Sequence, residues 1–153
     1  MLIDNYIHLE SFEKAFEKQN SYSQIAVLVD ENTLKHCYPL IVKQLPEHSL
    51  IEIESGEKNK TLETCQKIWS HFTDKHFDRK SLLINLGGGV IGDMGGFCAA
   101  TYKRGIDFIQ VPTTLLSQVD ASVGGKLGID FQGFKNHIGL FCQPKQVIID
   151  TNF

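Results

Sequence analysis

The side chains best suited to hold an anion gather late in the chain. Ser117-Gln118-Val119-Asp120-Ala121-Ser122-Val123-Gly124-Gly125-Lys126 is followed by Lys135, Asn136 and His137. Lysines beside paired glycines suit an anion, because the ammonium is a compact charge and bare backbone leaves room for the ligand. The segment is not a Walker A loop: the upstream glycine is missing, and Leu127 stands where a Ser or Thr would reach magnesium. A nucleotide triphosphatase is disfavoured. Earlier, Gly87-Gly88-Gly89-Val90-Ile91-Gly92-Asp93 contains a GxGxxG pattern and leads into the small-residue segment Met94–Ala100. Such glycines let backbone N–H groups and a helix N-terminus approach a pyrophosphate. Here, however, the pattern follows the third strand-like run, and the acidic residue at the expected distance, Asp107, opens a strand instead of ending one. A standard dehydrogenase fingerprint is disfavoured, while dinucleotide binding stays open in another arrangement.

Other polar positions have two readings each. Asp30 ends an apolar run, where a carboxylate accepts hydrogen bonds from ribose hydroxyls and repels a 2′-phosphate, favouring NAD over NADP. It could equally cap the next helix together with Asn32. Gly56-Glu57-Lys58-Asn59-Lys60 reads on its own as a solvated turn, and Thr113-Thr114 puts one hydroxyl where it can cap a helix and another where it can reach a ligand. None of the six histidines falls in a compact metal pattern. His71 and His76 are expected on different faces of one helix, which makes them a poor chelating pair. His137 stands out by its place in the lysine-rich segment. No Gly-x-Ser-x-Gly elbow occurs, and Cys37, Cys65, Cys98 and Cys142 lack any CxxC pairing or nucleophile context, so they read as buried free thiols.

The elements that must position these residues alternate regularly. Apolar runs over 24–30, 50–54, 81–86, 107–111 and 146–150 read as strands, the second half-exposed and near a sheet edge. Helices are expected over 33–44, with Asn32 as cap, and over 61–77, where Leu62, Cys65, Ile68, Trp69 and Phe72 form one apolar face. Short strands separated by helical patterns predict a doubly wound, mostly parallel α/β sheet with ligands at the carboxyl ends of its strands. Of 13 glycines, 12 fall between Gly87 and Gly139, and that concentration marks a surface where a ligand or a packed helix needs bare backbone. The end at Asp150–Phe153, just after a strand, reads as a cut before a second domain.

Composition bounds the partners. The 153 residues are 42% hydrophobic and 22% charged, with a net charge of −3, which fits one globular domain and offers no basic field to a nucleic acid or an anionic membrane. The amino-terminal MLIDNYIHLESFEK lacks the basic start and apolar run of a signal peptide, so a cytoplasmic location is expected.

The strings LGGGVIGDMGGFCAATYKRGIDFIQVPTTLLSQVDASVGGK and FKNHIGLFCQP closely resemble the amino-terminal domain of the 3-dehydroquinate synthase family. The resemblance spans nearly the whole chain. It implies a non-standard, Rossmann-like nucleotide-binding domain over residues 1–153, shared with iron-containing alcohol and glycerol dehydrogenases. It also implies a helical carboxyl-terminal domain outside this chain that carries a Glu and two His for a divalent metal, zinc or cobalt. The implied cofactor is NAD, which Asp30, Asn32, Glu57, Lys60, Gly88, Gly89, Val90, Asp93, Thr113, Thr114, Lys126 and Lys135 would meet. Arg104, Asp120, Lys126 and Asn136 would meet substrate, Arg104 across a homodimer in the neighbouring subunit. The implied reaction converts 3-deoxy-D-arabino-heptulosonate 7-phosphate to 3-dehydroquinate and phosphate, a step of the shikimate pathway to aromatic amino acids, and the isolated chain would be inactive. Two alternatives stay open: another sugar-phosphate cyclase, such as an inosose or amino-dehydroquinate synthase, and a stand-alone nucleotide-binding module. Two positions depart from the family pattern: Leu127 replaces a Thr after Lys126, and Phe134 replaces a Gly before Lys135.

Overall fold

A computed structural model describes residues 6–7 and 22–153. Apart from Tyr6–Ile7, the amino-terminal stretch read for a signal peptide lies outside the described residues.

Six parallel strands form the central sheet: β1 (Tyr6–Ile7), β2 (Ile25–Asp30), β3 (Ser49–Ile53), β4 (Leu82–Gly87), β5 (Asp107–Pro112) and β8 (Gln146–Ile148), in the order β1-β8-β5-β4-β2-β3. The expected doubly wound, mostly parallel sheet is present, and β3 lies at its edge as its alternation predicted. The interior strands are mostly apolar because both faces are covered, with Asn85 of β4 and Gln110 of β5 as buried polar exceptions. Ala26 and Leu28 of β2 face one core with Leu83 of β4, while Val27 and Val29 face the other with Leu82, Ile84 and Leu86.

The helices sort to these two faces. Short α1 (Glu31–His36) and α2 (Tyr38–Ile41) follow β2 and cover the face that holds Ile41. The single helix expected over 33–44 is therefore broken: Pro39, in the first turn of α2, has no N–H to donate to the Lys35 carbonyl and its ring crowds that carbonyl, so α1 ends and a new helix starts. On the opposite face lie α3 (Leu62–Asp74) and α4 (Gly89–Thr101). Thr61 caps α3, whose buried residues include Cys65, Ile68 and Phe72 of the predicted face. His76 falls beyond the end of α3, with φ 56°, so His71 and His76 do not share a helix.

Helix α4 is buried on nearly every side. Met94, Gly95, Gly96, Phe97, Cys98 and Ala99 are all enclosed, because an antiparallel hairpin of β6 (Lys126–Phe131) and β7 (Phe134–Phe141) lies over the helix. Gly95 permits the approach below: a Cβ there would come within 2.7 Å of Leu28 Cδ2 and would overlap the Asn85 side chain. The sequence reading did not anticipate this hairpin. Its signal is the two-residue turn Gln132-Gly133, both at positive φ (50° and 81°), as tight hairpin turns require.

Candidate functional site

The strand order reverses direction between β2 and β4. From β2 the chain passes through α1 and α2 to β3 on one side; from β4 it passes through α4, on the other face, to β5. The connections diverge above the carboxyl ends of β2 and β4, and that divergence opens the crevice where doubly wound sheets take their ligands.

Two cavities meet at this crevice. The smaller, about 350 Å³, is lined by Asp30, Asn32, Cys37, Gly88, Thr113 and Thr114 among others; the larger, about 780 Å³, includes Glu57, Lys60, Asp93, Asp120, Lys126, Asn136 and His137. Gly89 and Val90 belong to both walls, so the N-terminus of α4 stands between them. Gly88 occupies the N-cap and supplies no side-chain cap, and the first helical hydrogen bond runs from the Gly92 N–H to the Gly88 carbonyl at 3.0 Å. The N–H groups of Gly89, Val90 and Ile91 precede that bond. They are free of intrahelical acceptors and carry the positive end of the helix dipole.

Asp30 fulfils the capping reading in full. Its Oδ1 accepts from the N–H groups of Asn32 (3.0 Å) and Thr33 (2.8 Å), and Thr33 Oγ1 accepts from the Asp30 N–H in return. The cap expected at Asn32 therefore belongs to Asp30, because α1 starts at Glu31. The side-chain contacts use Oδ1 while Asp30 also lines the smaller cavity, so capping leaves the ligand reading open. The two threonines divide their work. Thr114 forms a reciprocal cap with Ser117, whose backbone N–H donates to Thr114 Oγ1 at 3.3 Å, whereas the Thr113 N–H donates to the Gly87 carbonyl at 3.0 Å. The Cys37 thiol nearby is pushed up by burial and by the Asp30 charge, against a hydrogen bond to Thr113 that lowers it.

Lys60 departs most from its sequence reading. Local sequence put it in a solvated turn, yet it is 2% exposed and its ammonium donates to Asp93 Oδ2 at 2.6 Å and to Asn136 Oδ1 at 2.5 Å. Its partners lie far along the chain, so nothing in the charged run GEKNK announces the burial. Burial pushes the Asp93 carboxyl above its ordinary range, while the Lys60 hydrogen bond and charge pull the other way. Glu57 pairs with Lys135 at 3.6 Å and Asp120 with Lys126 at 3.3 Å; both pairs are open to solvent. Screened pairs of this kind contribute little to stability and leave their cations available to a ligand.

The structure thus brings Asp30, Asn32, Glu57, Lys60, Gly88, Gly89, Val90, Asp93, Thr113, Thr114, Asp120, Lys126, Lys135 and Asn136 to one side of the molecule. Arg104 stands apart. It follows α4 in a strained turn, with φ 48° at Lys103, 69° at Arg104 and 114° at Gly105, near the amino-terminal end of β5. The apolar walls supplied by Leu116 and Phe141, which line the larger cavity while 68% and 83% exposed, were not anticipated. Among the described residues, no group of three or more His, Cys, Asp or Glu could hold a metal ion.

Comparison with known proteins decides the family. Residues 50–153 match the family model described as 3-dehydroquinate synthase N-terminal. The chain belongs to that family. The 3-dehydroquinate synthase of Parabacteroides distasonis is 43% identical over 147 residues, covering 95% of this chain and 42% of that protein. The 3-dehydroquinate synthase of Sulfurovum sp. is 60% identical over 108 residues, covering 71% of this chain and 31% of that protein. A crystal structure of 2-deoxy-scyllo-inosose synthase complexed with carbaglucose-6-phosphate, NAD+ and Co2+ superposes with a TM-score of 0.82 at 25% identity, over 96% of this chain and 42% of that one. This member of the 3-dehydroquinate synthase family therefore spans about two fifths or less of the curated relatives it matches. Its two departures from the family pattern have different consequences. Leu127 is buried against the glycine face of α4 and adds to the core, whereas Phe134 is 63% exposed on the hairpin.

Proposed function

We propose that this chain is the NAD-binding half of a 3-dehydroquinate synthase, and that the complete enzyme converts 3-deoxy-D-arabino-heptulosonate 7-phosphate to 3-dehydroquinate and phosphate. One observation carries the reading: the uncapped N-terminus of α4 stands between two cavities, one walled by hydroxyls and a carboxylate, the other by lysines, carboxylates and an amide. A dinucleotide has the same layout, with a diphosphate joining two nucleoside halves. The N–H groups of Gly89 and Val90 hold the pyrophosphate. Asp30, Asn32 and Thr113 receive the adenosine half, and the Asp30 carboxylate disfavours a 2′-phosphate. Lys60 and Asp93 brace the turn from the far side.

NAD, when bound, supplies a reversible hydride acceptor that makes the C–H beside a substrate hydroxyl acidic. Asp120 orients that hydroxyl. Lys126, Lys135 and Asn136 hold the departing phosphate and the oxyanions that develop, and each preorganised donor of this kind is worth about 3 kcal/mol in a transition state. The described residues do not fit a metal by themselves, and the reading assigns the metal ligands to a carboxyl-terminal domain outside these 153 residues. Arg104, remote from its own cavities and exposed, serves the phosphate site of a second subunit in a homodimer. The four free thiols and the net charge of −3 support a cytoplasmic enzyme acting on a small sugar phosphate, with no part for nucleic acid or membrane.

A second reading, another sugar-phosphate cyclase, is supported by the fold likeness to the inosose synthase, but 43% and 60% identity to 3-dehydroquinate synthases against 25% favours the first. The deciding experiment measures phosphate release by the full-length protein that contains this chain, with and without NAD. Release from the seven-carbon substrate is expected. Release from a hexose 6-phosphate alone supports the second reading, and release from neither supports a non-catalytic module.

A further inference from the structure

The two strands of the hairpin do not run in step. Ile129 faces Ile138 and Phe131 faces Phe134, so one residue of β6, Asp130, stands opposite three residues of β7: Lys135, Asn136 and His137. Bulges of this kind bend a strand and re-aim its side chains, and they persist where something over-determines them. Asn136 is the member that turns. Its φ of 50° lies in the left-handed region, which asparagine enters more readily than most residues other than glycine.

Asp130 is what holds it. The Asn136 N–H donates to Asp130 Oδ1 at 2.8 Å, and the Asp130 N–H donates to the Lys60 carbonyl at 2.9 Å. From the other side, the Lys60 ammonium reaches Asn136 Oδ1 at 2.5 Å and Asp93 at 2.6 Å. Asp130 thus ties the bulge through its carboxylate and, through its backbone N–H, the loop residue Lys60, whose side chain links the first turns of α4 to the hairpin. Asn136 and His137 line the larger cavity, whereas Asp130 does not.

We propose that Asp130 is a positioning residue for this site: it touches no ligand, and it locks the three-residue bulge in the one register that turns Asn136 into the larger cavity. Without the anchor the hairpin is free to relax towards regular pairing, and a slip of one residue sends side chains to the opposite face. The carboxylate suits the task because a backbone N–H bound to a charged oxygen makes a stronger hydrogen bond than a neutral pair. The amide of an asparagine offers an oxygen at the same place, so Asp130→Asn should preserve the anchor and Asp130→Ala should not. The consequence for ligand binding rests on the NAD reading above; the anchoring itself does not.

The test uses this chain with two readouts on wild type, Asp130→Ala and Asp130→Asn. The first is NMR amide hydrogen exchange at Asn136, with Leu83 of the central sheet as internal reference. The second is calorimetric titration with NAD. In Asp130→Ala, Asn136 exchange should quicken by about tenfold and the Kd for NAD should rise by about tenfold, the loss expected for one hydrogen bond to a charged group. Leu83 exchange should stay unchanged in both variants, and Asp130→Asn should restore most of both effects. Should Asp130→Ala fail to fold, Asp130→Glu takes its place, because its carboxylate is displaced by one methylene. Unchanged exchange at Asn136, equal quickening at Leu83, or an asparagine variant that behaves like the alanine one overturns the proposal. Failure of the wild-type chain to bind NAD would defeat the functional reading instead, and the exchange data would still decide whether Asp130 anchors the bulge.

Discussion

The site has two halves built on different principles. The half at β2, β4 and β5 is made of turns at the ends of strands buried on both faces, so the positions of Asp30, Gly88 and Thr113 follow from the packing of Val27, Ile84 and Val111 beneath them. The half at the hairpin has little beneath it on its outer strand: Phe134 to Gly139 are exposed, β6 reaches the core through Leu127 and Ile129, and β7 only through the half-buried Leu140 near its end. Its geometry comes from polar ties, chiefly Lys60 and Asp130. A site assembled this way has one wall fixed by apolar packing and one that a single substitution can loosen.

The largest expected effect follows from cutting the main tie between the halves. Lys60→Met keeps the side-chain volume but leaves the Asp93 carboxylate without its partner. Removing one member of a buried pair costs 3–5 kcal/mol, and because Asp93 retains 21% exposure the loss should be near the lower end, about 3 kcal/mol. Urea unfolding measures it; a change under about 1 kcal/mol would mean that the halves are not joined through this ion pair.

A smaller effect tests the packed half. Asp30→Ala removes the cap of α1 and should cost about 1 kcal/mol, while Asp30→Asn, which keeps an acceptor oxygen, should cost only a few tenths. If the cap is all that Asp30 does, the two variants will differ in melting temperature and agree in NAD affinity. Weakened NAD binding in both, with Asn keeping the stability, would assign the carboxylate to the ligand as well.

The smallest effect lies outside both halves and serves as their control. Burial lowers the pKa of His71, whose Nε2 is 2.9 Å from Ser49 Oγ at the edge of the sheet. The unfolded chain then binds the proton more readily than the folded one, so stability is fully present above the ordinary histidine value of about 6.5 and declines as the pH falls through it. His71→Gln should flatten that decline in thermal unfolding followed from pH 7.5 to 5.5, without altering ligand binding. An unchanged pH profile would remove His71 from the account.

The same contrast explains what the sequence made legible. Strands buried on both faces leave largely apolar runs, and β2, β4 and β5 appear within a residue or so of where those runs lie. The glycine turn was legible because a close helix N-terminus needs bare backbone. The hairpin was not: Gly128 and Gly139 interrupt the alternation of its strands, and the bulge opposite Asp130 breaks the period that would have betrayed β7. Lys60 was hidden for a different reason, since a buried lysine is defined by partners at Asp93 and Asn136 that only the tertiary fold supplies.

The central claim is that the N-terminus of α4, between the two cavities, holds the diphosphate of NAD. Calorimetric titration of this chain with NAD, and separately with NADP, tests it directly when repeated with Gly89→Val. A Cβ at Gly89 meets nothing closer than Ala121 Cβ at 3.6 Å, so the backbone has room for a side chain there, and the valine methyls would occupy the space the diphosphate needs. Saturable NAD binding, weaker NADP binding and a loss of about tenfold or more in folded Gly89→Val are expected. Absence of NAD binding by the folded chain, or undiminished binding by Gly89→Val, would contradict the claim.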